Sequence, residues 1–420
     1  MRRRGVAQNS ALALAGDVAS KAGALVVVLI AARALAESEF ATVATGLAIA
    51  ALLTSLLDIG AGTLLARDGA RDGVSRGSLF RALAEARAPA VIVVLVAGPI
   101  VGLALGQPLT GLTVAALAVA GAVALSLFGV YRSGQDIRPE ALQRLACAIV
   151  SVVSVGLCCF VVPRADVVLA ALALSSLATL AVLGLAARRV ADFACAIRPR
   201  AALRRAAPIG ALALATVAYY RSGTLALAAV AGPHETAVFT VAASVAFGLL
   251  VLPNAITSAL LPRLSAESER DLLVASARRA LAWTVALATA VSLAAAVIAP
   301  AALPLVLGAQ YADAAGPFAL LCLGLPVIAA SGVIGTTLLS VGRLRPLAVQ
   351  VACTLAVNLL ALALLVPALG AAGASLATVL CELAGLALLV NVSRRELPGL
   401  LELRGPAFRA RVAARRAATP

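Results

Sequence analysis

The stretch VVLAALALSSLATLAVLGLAARR, residues 167–189, decides the fold class of this chain. It carries no charged side chain over 167–187 and then ends in Arg188 and Arg189. About 20 apolar residues in a helix cross the roughly 30 Å hydrocarbon core of a bilayer. A helix that is apolar on every side over this length is typical of a membrane span. The stretch therefore predicts a span with a basic flank.

Eleven further stretches are also predominantly apolar and of a length that suits a span. Together the twelve predict an all-α polytopic membrane protein of twelve helices. The predicted spans are 9–33, 40–65, 88–105, 110–131, 144–163, 167–187, 208–231, 236–261, 280–305, 314–341, 346–366 and 369–392.

The arginines support this count, because they fall almost entirely in every second gap between the spans. Only Arg33 and Arg164 lie in the other set of gaps, and Arg221 lies inside a span. Under the positive-inside rule this asymmetry predicts that both termini are cytoplasmic. Asp17 and Lys21 interrupt the apolar run of a signal peptide, so we expect an uncleaved first span.

Composition excludes several classes of protein. A hydrophobic content of 62% and a mean hydropathy of +1.05 exclude an ordinary soluble domain. The net charge of +15 is spread over short loops, which argues against nucleic acid and favours anionic membrane lipids as partners. None of the seven cysteines forms a C-x-x-C pair, so no metal site or disulfide is predicted.

The two halves of the chain resemble each other. Asp58 precedes Arg67 by the same number of residues as Asn254 precedes Arg263, and the string SLAT at 176–179 recurs at 375–378. A common offset of roughly 200 residues predicts an internal duplication into two pseudo-symmetric six-helix lobes, related by an axis along the membrane normal. The predicted units are a lobe at 1–190, a cytoplasmic linker at 191–207, a lobe at 208–392 and a basic cytoplasmic tail at 393–420.

Two cations lie at mid-membrane depth. Aligning Phe40 with Phe239 brings Lys21, on the first helix of one lobe, within one residue of Arg221 on the first helix of the other. A central charge costs about 2.5–3.5 kcal/mol on insertion scales, so each should face a polar interior. Two facing cations predict an anionic substrate. The alternatives are a neutralising pair between Asp17 and Lys21, four residues apart, and an Arg221 that only stacks on a tyrosine.

Carboxylates inside the spans are candidates for ion coupling, and Asp17, Asp58 and Glu382 form this set. Asp58 can equally be a structural element that kinks its helix. We expect Asn254 and Asn358 to hydrogen-bond between helices. We expect His234, in a short outer loop, to be solvated.

Enzyme motifs are missing from the sequence, which has no Walker A, G-x-S-x-G or H-E-x-x-H pattern. We therefore predict that the protein is not an enzyme and carries no cofactor. Active transport would draw on an ion gradient through proton or sodium coupling, on the membrane potential, or on a downstream sink.

Several segments resemble one family, the polysaccharide-biosynthesis flippases of the multidrug/oligosaccharidyl-lipid/polysaccharide exporter superfamily. The segments, in chain order, are Ala32-Arg33-Ala34-Leu35 with Glu39-Phe40, Asp58-Ile59-Gly60 with Arg67, Pro253 to Ser265, Tyr311 to Phe318, and Val366 to Thr378. The chain departs from the family at Ala36 and Ala41, where glycines are expected, and at Gly223, near which members often carry an aspartate.

The resemblance implies a V-shaped pair of lobes around a central cavity, with alternating access. It implies a secondary-active flippase of the bacterial cytoplasmic membrane that exports a polyprenyl-pyrophosphate-linked oligosaccharide, beside glycosyltransferases and a polymerase of the same pathway. Lys21 and Arg221 would neutralise the pyrophosphate, and Tyr219 and Tyr220 would stack on sugar rings. The alternatives are a multidrug or small-cation antiporter of the same fold, and a non-transporting scaffold for envelope enzymes.

Overall fold

A computed structural model describes residues 6–70, 75–187, 197–251, 253–254, 256–257, 260, 264, 269–398 and 400. These residues form helices and short turns, without a strand. The helices are α1 (Val6–Ala34), α2 (Glu37–Asp58), α3 (Ala61–Asp68), α4 (Arg76–Ala104), α5 (Pro108–Ser133), α6 (Arg138–Val161), α7 (Ala165–Ala187), α8 (Pro199–Val230), α9 (Pro233–Leu249), α10 (Arg270–Leu307), α11 (Ala315–Ser340) and α12 (Leu344–Glu396), with a 3₁₀ turn at Ala309–Ala314 before α11.

Ten of these helices are long and apolar enough to cross a membrane. Two further spans complete the predicted twelve. The 53 residues of α12 would extend about 80 Å if straight, but Gly370 adopts φ 54° and divides the helix into two arms. The predicted span 236–261 contains α9, with 17 residues, and a following stretch that is described only in part.

Four helices differ from their predicted spans. The predicted span 40–65 is two helices, because Ile59 and Gly60 adopt φ 48° and 76° between α2 and α3. The helices α4, α8 and α10 begin well before their predicted apolar spans. These extensions carry arginines and were therefore interpreted from sequence as connectors.

The two halves repeat one pattern of helix contacts. The pairs α1–α6, α2–α5, α4–α5 and α5–α7 of the first half correspond to α8–α12, α9–α11, α10–α11 and α11–α12 of the second. A carboxylate near the start of the second span also caps the last span in each half. Glu39 accepts a hydrogen bond from the Ala165 amide at 2.5 Å, and Glu235 accepts one from the Ala371 amide at 2.6 Å. These contacts support the predicted pseudo-symmetry.

Two ends of the helix bundle are distinguished below. The basic end carries α3 and the first turns of α4, α6 and α8. The short-loop end carries the turns at 35–36, 105–107, 162–164, 231–232 and 308.

The core differs between these ends. Toward the short-loop end, one buried cluster joins both halves, with Val27 and Phe40 from the first half and Phe239, Leu307 and Phe318 from the second. Toward the basic end, the buried apolar residues divide into separate clusters. The halves are thus packed together most extensively near the short-loop end.

Candidate functional site

Arg221 lies on the exposed side of α8, in the middle of a membrane-spanning helix. No carboxylate pairs with it among the described residues. Tyr220, its neighbour, is 44% exposed and meets Phe247 of α9 edge-on at 5.6 Å between ring centroids. This face of α8 therefore presents an unpaired cation beside an accessible aromatic ring.

The opposite face of α8 is fixed to α12 by hydrogen bonds. The Tyr219 hydroxyl donates to Glu382 Oε1 at 2.6 Å, and the Asn358 amide donates to Ser222 Oγ at 2.6 Å. Tyr219, Asn358 and Glu382 are all buried. The expectation of an interhelical hydrogen bond for Asn358 is confirmed. Because residues 219 and 222 face α12, residues 220 and 221 are turned away from it.

Tyr219 and Tyr220 occupy different environments although both were predicted to contact substrate. The ring of Tyr219 is buried behind Tyr220, with its hydroxyl engaged by Glu382. Only Tyr220 has an accessible ring here. The sequence could not show which of the two tyrosines is accessible, because the rotation of α8 about its own axis is set by its contacts with α12.

Lys21 lies on the exposed side of α1, the counterpart of α8 in the first half. The other side of α1 packs closely on α6, where a side chain at Gly23 would collide with Ala148. No ion pair to Lys21 occurs among the described residues. Lys21 and Arg221 thus hold equivalent, unpaired positions, and their facing a common cavity stays a prediction.

The sequence suggested a pair between Asp17 and Lys21, and the structure corrects it. Asp17 instead pairs with Arg144 of α6. Arg144 also lies 3.0 Å from the buried Glu140 and 4.9 Å from the centroid of the Phe128 ring. The partner comes from a residue 127 positions away, so helical spacing alone could not reveal it.

Asp58 is buried at the end of α2, next to an arginine. Its Oδ1 accepts a hydrogen bond from the Gly62 amide at 3.2 Å and one from Ser126 Oγ at 3.5 Å. Arg87 Nη1 lies 3.8 Å from the same oxygen. The carboxylate therefore stabilises the first turn of α3 after the break at Ile59, which favours the structural interpretation of Asp58. Arg87, which the sequence assigned to a loop, is buried inside the bundle.

The start of α8 packs on the first half at the basic end. A side chain at Gly210 would collide with the Ile59 backbone, so α8 and the α2–α3 break touch through their main chains. Arg205 pairs with the buried Asp68, which Arg67 also contacts at 2.9 Å. Residues 199–207, predicted to belong to a linker, are therefore part of α8 and contact the first half.

His234 was expected to be solvated, and its side chain is 44% exposed, but it also has a partner that the sequence did not give. Its Nδ1 lies 2.9 Å from Glu37 Oε2, across the boundary between the halves. Asn254 is exposed, and its predicted hydrogen bond between helices is not shown. Among the residues the structure describes, no group of three or more His, Cys, Asp or Glu side chains could hold a metal ion.

Comparison with known proteins gives one family and several related structures. A family model described as polysaccharide biosynthesis protein matches residues 6–267. A search of curated proteins gives no significant match.

Solved structures with similar folds are membrane transporters. An inward-facing multidrug resistance MATE family transporter of the MOP superfamily is 15% identical, with a TM-score of 0.68 over 94% of this chain and 100% of that chain. The lipid II flippase MurJ in an inward closed conformation is 10% identical, with a TM-score of 0.69 over 90% and 87%. A MOP superfamily transporter from Pyrococcus furiosus, whose binding pocket of reverse polarity suggests a different function, is 17% identical, with a TM-score of 0.64 over 94% and 95%.

Proposed function

The chain belongs to the polysaccharide biosynthesis protein family, and from that membership we propose that it is a flippase for a polyprenyl-pyrophosphate-linked oligosaccharide. The basic end would face the cytoplasm of a bacterial cell, following the positive-inside rule. The substrate would come from glycosyltransferases on that side, and a polymerase on the other side would receive it.

The unpaired state of Arg221 is the observation that carries this proposal. A guanidinium in the middle of a spanning helix is costly unless water, a carboxylate or a bound anion compensates it. No described carboxylate does so. Arginine binds phosphate through two parallel N–H donors, which suits a pyrophosphate. Lys21, the unpaired cation of the other half, would bind the same anion.

Tyr220 would contribute to recognition of the sugar. Its ring is accessible and held edge-on by Phe247, so a saccharide ring could stack on its free face. Tyr219 would not contact the sugar. Its hydroxyl donates to Glu382, and this bond fixes the rotation of α8 about its axis, which positions Tyr220.

Ion coupling would use Glu382 in preference to the other two candidates. Asp17 and Asp58 each lie beside an arginine, so both carboxylates already have a cation as partner. Glu382 is buried, and its partner among the described residues is a neutral hydroxyl, so it could take up and release a proton or bind sodium during a transport cycle.

The proposal is tested by deleting the gene in its host and restoring it with variants. We expect Arg221→Ala and Lys21→Ala to abolish surface polysaccharide and to cause lipid-linked oligosaccharide to accumulate at the inner leaflet. Arg221→Lys should retain part of the activity, because it keeps the charge. Arg81→Ala is the matched control, since Arg81 is exposed and pairs only with Glu85 of its own helix.

Normal polysaccharide export by both Arg221→Ala and Lys21→Ala would contradict the anion site. A multidrug or small-cation antiporter of the same fold is the second candidate, and the buried carboxylate of Glu382 favours it. In that case Glu382→Gln should lower drug resistance in the host while Arg221→Ala leaves it unchanged.

A further inference from the structure

The two halves meet at the short-loop end through a polar cluster centred on His234. Its Nδ1 lies 2.9 Å from Glu37 Oε2, and its Nε2 lies 3.5 Å from Asp313 Oδ2. Glu37 begins α2 in the first half, whereas His234 and Asp313 belong to the second. One imidazole therefore links carboxylates on both sides of the boundary.

An aromatic contact crosses the same boundary next to this cluster. Phe40, three residues after Glu37, meets Tyr311 edge-on at 6.2 Å between ring centroids. Both rings are buried in the cluster that joins the halves. Opening the short-loop end would have to separate these rings and the polar link together.

We propose that His234 is a pH-sensitive latch that holds the short-loop end closed while its imidazole is protonated. A protonated imidazole donates from both nitrogens and can bind Glu37 and Asp313 at once. A neutral imidazole has one N–H and can donate to only one of them. Loss of the proton therefore removes one donor and the attraction between the charges.

The charges around His234 are mainly acidic. Glu235 accepts a hydrogen bond from the Ala371 amide, and Glu39, farther along α2, accepts one from the Ala165 amide. Arg33 of α1 lies beside Gly308 and is the cation near this cluster. The described parts of α10, α11 and α12 that pack on α9 bring no charged side chain to this end.

These neighbours decide the direction of the pH effect. The hydrogen bond with Glu37 raises the pKa of His234 above its ordinary value, and the nearby charges of Glu235 and Asp313 add to the effect while burial opposes it. Burial raises the pKa of Tyr311, so its phenol stays neutral. Since the closed form holds the proton more tightly than an open form would, closure is favoured at low pH. It is lost as pH rises through the pKa of the closed form.

Pulsed electron paramagnetic resonance on the full chain in lipid nanodiscs tests the latch without any substrate. Spin labels would be attached at Gln107→Cys in the first half and Gly316→Cys in the second, both exposed at the short-loop end, in a cysteine-free background. We expect one short distance near pH 5 and a growing population at a longer distance toward about pH 9. Across the transition, the ratio of the short-distance to the long-distance population should change about tenfold for each unit by which the pKa of His234 differs between the closed and open forms.

Variants at the latch separate charge from packing. His234→Gln should favour the longer distance at every pH, and His234→Arg should favour the short distance at every pH. Glu37→Gln should move the midpoint of the transition to lower pH, which keeps the test valid if His234→Gln fails to fold. Asp166→Asn is the control, because Asp166 pairs with Arg164 within the first half.

Two results would overturn the proposal. One is a wild-type distance distribution that does not change with pH. The other is a pH dependence that persists unchanged in His234→Gln. Neither depends on whether the protein transports a lipid-linked oligosaccharide.

Discussion

Arg87 shows how a charged side chain is accommodated inside the bundle. Its Nη1 donates to Ser126 Oγ at 2.9 Å, its Nε donates to the Leu83 carbonyl at 3.1 Å, and Asp58 lies beside it. Two of the three guanidinium nitrogens, Nε and Nη1, thus have a partner inside the bundle. A buried pair of this kind contributes little net stability while intact, but removing one member leaves a charge without compensation.

We expect Arg87→Met to lower the free energy of unfolding by about 3–5 kcal/mol, because Asp58 remains buried without its cation. Asp58→Asn in the same chain should restore part of the loss. Thermal unfolding of the purified protein in detergent measures both. Arg81→Met, which removes an exposed pair with Glu85, should cost less than about 1 kcal/mol. Equal losses in Arg87→Met and Arg81→Met would contradict a buried pair.

Substitutions at Tyr219 and Tyr220 should have different effects on stability. Tyr219→Phe removes the donor to a buried carboxylate, and we expect it to cost about 1–3 kcal/mol of stability. Tyr220→Phe should leave stability unchanged, because the ring is accessible and its contact with Phe247 is kept. Tyr220→Ala should lower polysaccharide export without unfolding the protein. Thermal unfolding and export in the restored host distinguish these effects, and a stable Tyr219→Phe would argue against the bond to Glu382.

At the scale of residues, the sequence correctly placed its ionisable candidates on the spanning helices but did not give their partners. Hydropathy locates Asp17 or Glu382 within a span because the apolar run around each is long. The partners Arg144 and Tyr219 come from helices far away in the chain. Which face of one helix meets another is decided by packing, and an Ala- and Leu-rich sequence encodes that weakly.

The break between α2 and α3 is the element that brings the two halves together at the basic end. Ile59 and Gly60 adopt left-handed backbone angles, and Asp58 caps the helix that follows. The turned backbone then lies directly against Gly210 of α8. A glycine is required on α8 at this point because the contact is between main chains.

Gly210→Val should therefore lower the stability of the protein by several kcal/mol and separate α8 from the α2–α3 break, because overpacking of a close contact is costly. Gly156→Ala on α6 is a matched control, since a side chain there meets nothing within 4 Å. It should be neutral or stabilising by up to about 1 kcal/mol. Thermal unfolding tests both, and a Gly210→Val protein as stable as wild type would contradict the contact.

At the scale of elements, the twelve spans were predictable because each carries a long apolar run. The break at Gly60 and the helical extensions at Arg76, Pro199 and Arg270 were not. Packing on neighbouring helices stabilises these extensions, which are not apolar runs themselves, so each helix begins before its apolar run does.

The topology of the whole molecule can be tested from both of its ends. In intact cells, a membrane-impermeant thiol reagent should label Ser38→Cys at the short-loop end and not Arg81→Cys at the basic end, each in a cysteine-free background. Both positions are exposed. The expectation follows from the arginine asymmetry. Labelling in the opposite sense would invert the orientation, and labelling of both in intact cells would contradict the twelve-span arrangement.

The duplication was predictable from repeated strings, and its structural form appears in the repeated helix pairs and in the two capping carboxylates. Glu39 and Glu235 are 196 residues apart, which is the same offset that separates Asp58 from Asn254. The cap is repeated between the halves as a contact, and in each half it comes from the third residue of the helix, α2 or α9. Sequence comparison of the halves pairs the two carboxylates but not their partners, because Ala165 and Ala371 are 206 residues apart.

The packing of the first turns of α8 on α3 and α4 has a consequence for how the chain could be divided. The second half carries its own docking segment, with Ala202 and Ala206 buried against Leu64 and Leu79, and Arg205 paired with Asp68. Two polypeptides, one ending near residue 190 and one beginning near residue 197, would therefore keep the recognition surface between them. Coexpressed in one cell, such fragments should find each other and reconstitute the transporter without a peptide bond joining them.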